Sequence, residues 1–139
     1  AYIELGYKIW SSRLQKLDEE LDAYADDSSV RNLVAESGTS LSGVLRGPWS
    51  LGALFEDYTG HASVPSPSHP HPLEGEAYFS GGYNIEVHGS RDGGSIDAIQ
   101  IEFPRNLRVD NWDTQADLLT SLAEDILPQY LDHFYGFLF

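Results

Sequence analysis

Two polar side chains, Gln100 and Glu102, interrupt the apolar run IDAIQIEF at residues 96–103. Residues two apart on a strand share a face, so both turn toward one layer together with Ala98. A carboxylate held there needs either a cation partner or a raised proton affinity to offset its lost hydration. Two readings of Glu102 follow. It forms an ion pair with Arg105 or Arg91 that ties down a strand end, or it is a general base tuned by partial burial. Just upstream, Gly81 and Gly82 suit a tight turn or a close approach of backbone to a ligand, and the loop HGSRDGGS at residues 88–95 holds three more glycines. His69 and His71 alternate with prolines in HASVPSPSHPHP, residues 61–72; they read as plain loop residues ahead of metal ligands. There is no HExxH pattern and no cysteine pair, and His61, His88 and His133 are scattered.

The elements that must position these residues follow from periodicity. AYIELGYKIW, residues 1–10, alternates and reads as a strand. The acidic run KLDEELDAYADD, residues 16–27, reads as short helical or turn-like structure with a solvated face, the sharper alternative being a surface for a divalent cation or a basic partner. SSVRNLVAESG predicts a short helix capped by Ser28 or Ser29, with Val30, Leu33 and Val34 on one face and Gly38 as its stop. Ser40 caps LSGVLR. Pro48 and Ser50 open a helix, with proline in its first turn, whose Leu51, Leu54, Phe55 and Tyr58 face inward. Residues 62–64 suit a short strand, after which Pro65, Pro67, Pro70 and Pro72 hold the chain as an extended loop. YNIEV, residues 83–87, predicts a strand, and IDAIQIEF a second one that is central and covered on both faces. From an Asp113 cap, Leu119, Leu122, Ile126, Tyr130, Phe134 and Phe137 recur at steps of three and four, predicting a long amphipathic helix kinked at Pro128. The expected class is α/β, a layered mixed sheet flanked by helices.

At 139 residues the chain is the size of one domain, and a composition of 41% hydrophobic and 22% charged residues suits a folded globule. A net charge of −14 repels a phosphate backbone, so nucleic acid is an unsuitable partner. No apolar run is long enough to span a bilayer, and the start lacks the pattern of a signal peptide. Without cysteine there is neither a disulfide nor a thiolate metal site. The chain has no methionine and begins at Ala1. The expectation is therefore a processed product or part of a longer one, which favours a secreted or extracellular location and an N-terminal companion chain or upstream segment.

The ordered set YFSGGYN, HGS, IQIE and PR resembles the C-terminal region of the N-formylglutamate amidohydrolase family, with weaker likeness at YIELGYKIW, GPWSLGALFEDY and VPSPSHPHP. The resemblance covers most of the chain. It implies that residues 1–139 are the C-terminal part of a larger domain, an incomplete piece of a zinc-carboxypeptidase-like α/β fold. The implied activity is zinc-dependent hydrolysis of the amide bond of a small N-acyl amino acid. In that scheme zinc polarises the carbonyl and acidifies bound water, and a carboxylate from a strand takes the proton. Glu102 matches that carboxylate. Arg91 and Arg105 would pair the substrate carboxylate through their parallel donors. Tyr83, Asn84, His88 and Gln100 would contribute to the substrate pocket. Many members carry threonine and arginine after the GGY element, where this chain has Ile85 and Glu86; two contacts to an acidic substrate are thereby removed. The family's metal ligands are expected upstream, outside this chain. The alternative from the same fold is a non-catalytic, acidic structural or binding protein.

Overall fold

The structure is a computed structural model and describes residues 1–137. Three strands form a mixed sheet in the order β2-β1-β3. Strand β1 (Ile3–Gly6) is central; it runs parallel to β2 (Ser63–Val64), pairing Ile3 with Ser63 and Glu4 with Val64. It is antiparallel to β3 (Gln100–Glu102), pairing Glu4 with Glu102, Leu5 with Ile101 and Gly6 with Gln100. The alternation read from the sequence is real: Ile3, Leu5, Tyr7 and Ile9 are all fully buried. Burying one such side chain stabilises the fold by about 1.5–3 kcal/mol, so this strand anchors the core.

Helices α1 (Ser11–Leu14), α2 (Asp18–Asp22), α3 (Arg31–Ser37), α4 (Leu41–Arg46) and α5 (Leu51–Thr59) fill the connection from β1 to β2. Leu14, Leu21, Leu33, Leu41, Val44, Leu45, Leu51, Leu54 and Phe55 bring their faces into one cluster with β1. Ser40 Oγ accepts the N–H of Gly43, the cap the sequence predicts, and Ser50 Oγ accepts that of Ala53 as the cap of α5. Pro48 stands ahead of the Ser50 cap instead of in the first turn, and Tyr58 is exposed. The acidic run is engaged within the molecule. Asp18 binds Arg46, Asp22 accepts the N–H of Ser42, Asp26 pairs with Arg31 and Asp27 with Arg13. Arg46 also donates to the carbonyls of Leu14 and Lys16, fastening α4 across the α1–α2 turn.

Three further expectations are corrected. YNIEV is helical: α6 (Tyr83–His88) lies between Gly82 and Gly89, and only Ile85 on it is buried. Strand propensity of Ile85 and Val87 loses because a single inward side chain leaves no alternating face to bury. Strand β3 is an edge strand, half-buried at each residue, because β1 holds the centre and only one side of β3 meets the core. Helix α3 is not capped by Ser28 or Ser29. Its first free amides, on Asn32 and Leu33, bond to Ser90 Oγ at 2.9 Å and Asp97 Oδ1 at 3.0 Å.

After β3, α7 (Arg105–Arg108) turns the chain into α8 (Trp112–Ser121), whose cap is Asn111 accepting from the Thr114 N–H, with Asp113 in the first turn. A π-helical turn over Leu122–Ile126 joins α8 to α9 (Leu127–Tyr135) without a break. The Leu127 N–H bonds to the Leu122 carbonyl, so the wider turn sits directly before Pro128, which lacks an N–H of its own. Leu118, Ile126, Tyr130 and Phe134 are buried, whereas Leu119 and Phe137 are exposed. Among the described residues no helix is long and apolar enough to cross a membrane.

Candidate functional site

The alternation that sends Ile3 and Leu5 into the core sends Glu4 and Gly6 to the other side of β1. The register with β3 then sets Glu102 opposite Glu4 and Gln100 opposite Gly6, giving the sheet one polar face. A strap formed by residues 78–82 crosses that face. Its Phe79 N–H donates to Glu4 Oε2 at 2.6 Å, its Gly82 N–H donates to Gln100 Oε1 at 2.8 Å, and its Tyr78 hydroxyl donates to the Leu5 carbonyl. Gly6 permits this approach, since a Cβ there would come within 2.7 Å of the Gly81 nitrogen. Beside the strap opens a cleft of about 410 Å³ lined by Glu4, Ala77, Tyr78, Phe79 and Glu102.

Glu102 enters this cleft as a carboxylate whose side chain is 41% exposed, with Arg108 Nη2 at 3.9 Å from Oε1. The ion-pair partner is thus Arg108, three residues beyond Arg105, and neither Arg105 nor Arg91. Arg105 is exposed at the start of α7. Arg91 lies on the 3-10 turn Arg91–Gly93, where its Nη1 is 3.7 Å from Glu86 Oε1. Tyr83, Asn84 and His88 project from α6 as exposed residues, Tyr83 at 74%. The structure therefore joins Gln100 to the GGY element through Gly82, and Glu102 to Glu4, while Arg91 belongs to a different cluster.

The sequence reading missed the centre of that cluster, Lys8. Its ammonium lies 3.1 Å from Glu86 Oε2, donates to the Gly81 carbonyl at 3.2 Å, and sits 5.1 Å from the centroid of the Trp10 ring. Lys8 is buried and adopts φ 62°, a left-handed conformation uncommon for a residue with a side chain. The only signal in the sequence is its place in the phase of Glu4 and Gly6.

A second polar centre surrounds Glu56. Its Oε1 accepts from the Ser63 N–H at 3.0 Å, from Ser66 Oγ at 2.9 Å, and lies 2.7 Å from His69 Nδ1. His69 is accordingly a carboxylate-bound side chain and not a plain loop residue. His71 Nδ1 faces the Pro72 carbonyl at 2.9 Å, and His133 stacks on Trp49 with centroids 4.5 Å apart.

Zinc centres take four ligands, at least three from protein. Among the described residues no group of three or more histidine, cysteine, aspartate or glutamate side chains is arranged to hold a metal. The cleft offers two carboxylates and no imidazole, and one of them, Glu4, is already bonded by Phe79. These residues alone do not fit a zinc site. What the arrangement can do by itself is accept a proton at Glu102 and seat an apolar group against Phe79. Comparison of the chain with family models, with curated proteins and with solved structures finds no match.

Proposed function

We propose that the polar face of the sheet is the proton-accepting part of a site that hydrolyses the amide bond of a small N-acyl amino acid. Glu102 is the general base: it takes a proton from the water that attacks the acyl carbonyl, and returns it to the departing amine. Gln100, held by Gly82, positions the GGY turn, and Phe79 and Tyr78 supply the apolar wall against which an acyl or side-chain group rests. Arg105 and Arg108 are the guanidinium groups nearest in sequence to this strand for recognising the amino acid's carboxylate. The metal ligands and the opposite wall belong, in this proposal, to an N-terminal companion chain or upstream segment. The single observation that carries the reading is Glu102 itself, a half-exposed carboxylate on a strand, opening into a cleft with apolar walls.

The test is turnover of N-formyl and N-acetyl amino acids by the natural assembly, after intact-mass measurement has established which polypeptides it contains. Glu102→Gln keeps shape and removes the base; a loss of about 10²–10⁴-fold is expected. Unchanged turnover removes Glu102 from its role. A second reading, a non-catalytic acidic binding protein, is favoured by one observation: the carboxylate nearest Arg91 is Glu86 of the same chain, so that guanidinium already has an internal partner. Absence of turnover in an assembly with zinc bound selects this second reading.

A further inference from the structure

Glu4 and Glu102 line the cleft beside the strap, Arg108 lies 3.9 Å from Glu102, and Arg105 opens the same short helix α7. These two carboxylates and two guanidinium groups cancel. Lys8 and Arg91 are directed at Glu86. Once the α-carboxylate of an N-acyl amino acid engages the guanidinium groups, an acidic side chain brings a second carboxylate beside Glu4 and Glu102 with no cation left to meet it. A basic side chain fares no better. Glu4 Oε2 already holds the Phe79 N–H at 2.6 Å, and Glu102 has Arg108 beside it. What remains of the lining is apolar: the Ala77 methyl, the Phe79 ring, which is 40% exposed, and the ring of Tyr78, whose hydroxyl is taken by the Leu5 carbonyl. The volume, about 410 Å³, is that of a small-molecule site.

We propose that this cleft selects N-acyl amino acids with an uncharged apolar side chain, aromatic or branched, over acidic and basic ones. The side chain rests on Phe79 and Tyr78, where ring contacts and the removal of apolar surface from water favour it. A charged side chain in the same place loses hydration without gaining a partner. The proposal rests on the hydrolase reading for the N-acyl amino acid scaffold, and it adds the class of side chain.

The isotope-labelled full chain is titrated by NMR with the Nα-acetyl derivatives of phenylalanine, leucine, glutamate and lysine. Expected are amide shifts at residues 77–82 and at Glu102, with the phenylalanine and leucine compounds bound about tenfold or more tightly than the glutamate and lysine ones. Phe79→Ala, which keeps the backbone N–H that bonds Glu4, is expected to weaken the phenylalanine compound several-fold. Glu4→Gln, which keeps an acceptor for that N–H, is expected to narrow the gap between the leucine and glutamate compounds. Equal affinity for all four, a preference for glutamate or lysine, shifts located elsewhere, or no shifts at millimolar ligand overturns the proposal. Turnover by the natural assembly separates it from the reading beneath it. Selective binding without turnover leaves the side-chain preference standing and removes the hydrolase, whereas turnover that favours the glutamate compound keeps the hydrolase and removes the preference.

Discussion

Lys8 Nζ and Glu86 Oε2 lie 3.1 Å apart, and the lysine end of this pair is buried while the glutamate end is half-exposed. The ammonium's remaining contacts are the Gly81 carbonyl and the Trp10 ring. Removing the carboxylate charge strands a cation out of reach of bulk water, which costs more than an exposed pair gains. Glu86→Gln is expected to lower stability by about 1–2 kcal/mol in urea denaturation. Adding Lys8→Met is expected to recover most of that loss, because the uncompensated charge is then gone. An unchanged midpoint for Glu86→Gln contradicts this account.

Asp97 joins three distant parts of the chain. Its Oδ1 accepts from the Leu33 N–H and from Ser90 Oγ, and its Oδ2 from the Tyr135 hydroxyl at 2.9 Å. Asp97→Ala is expected to destabilise by about 1–2 kcal/mol, through loss of the cap on the Leu33 N–H, while Ser90 keeps the Ser29 carbonyl as acceptor. Tyr135→Phe, which deletes one bond at a more exposed position, is expected to cost about 0.5–1 kcal/mol. Hydrogen exchange at the Leu33 amide separates the two: it accelerates with Asp97→Ala and stays near wild type with Tyr135→Phe.

Burial by itself would raise the proton affinity of Glu56, but hydrogen bonds from the Ser63 N–H, His69, Ser66 and Ser68 outweigh it and hold the carboxyl below its ordinary range. A carboxyl depressed in the folded state contributes stability that is present above its unfolded value, 4.5, and is lost as pH falls through the folded value. Wild-type stability is therefore expected to drop as pH is lowered below about 4.5, and Glu56→Gln to flatten that part of the profile. Urea midpoints measured across the acid range check this; equal slopes for the two proteins would contradict it.

At the alkaline end, Tyr7, Tyr78, Tyr130 and Tyr135 all have their ionisation pushed upward, first by burial and then by neighbouring charges or phenols. For Tyr135, the hydrogen bond to Asp97 adds to the effect. Groups raised in the folded state contribute stability that is complete below the unfolded value, about 10, and is lost as pH climbs beyond it. Of the eight tyrosines in the chain, these four are expected to ionise only as the protein unfolds. An absorbance titration at alkaline pH should show two phases, the second coincident with loss of helical circular dichroism; a single phase near the ordinary value contradicts the burial.

What could be read from the sequence was whatever local spacing dictates. The buried phase of Ile3, Leu5, Tyr7 and Ile9 follows from period two, and the Ser40 cap of α4 follows from short-range hydrogen bonding. The polar side of β3 followed in the same way from Gln100 and Glu102. Its counterpart Glu4 lay in plain alternation as well, but only the strand register sets it opposite Glu102, and register is fixed by tertiary packing. The α3 cap was out of reach for a similar reason: Ser90 and Asp97 come from 58 and 64 residues away along the chain. Helix α6 was misread because Ile85 and Val87 favour strands in isolation, whereas the flanking Gly82 and Gly89 leave room for a short helix that delivers Glu86 to Lys8.

The widened turn before Pro128 makes that proline a setter of rotational phase. With bonded groups five positions apart, the segment holds one residue more than an ordinary turn would, and each residue advances an α-helix by about 100°. Were Pro128 exchanged for alanine and the bulge to close, everything on its N-terminal side would swing by roughly that angle. Leu118 would leave its seat while Tyr130 and Phe134 kept theirs, so the two ends of this long helix are docked correctly only as long as the irregularity between them survives.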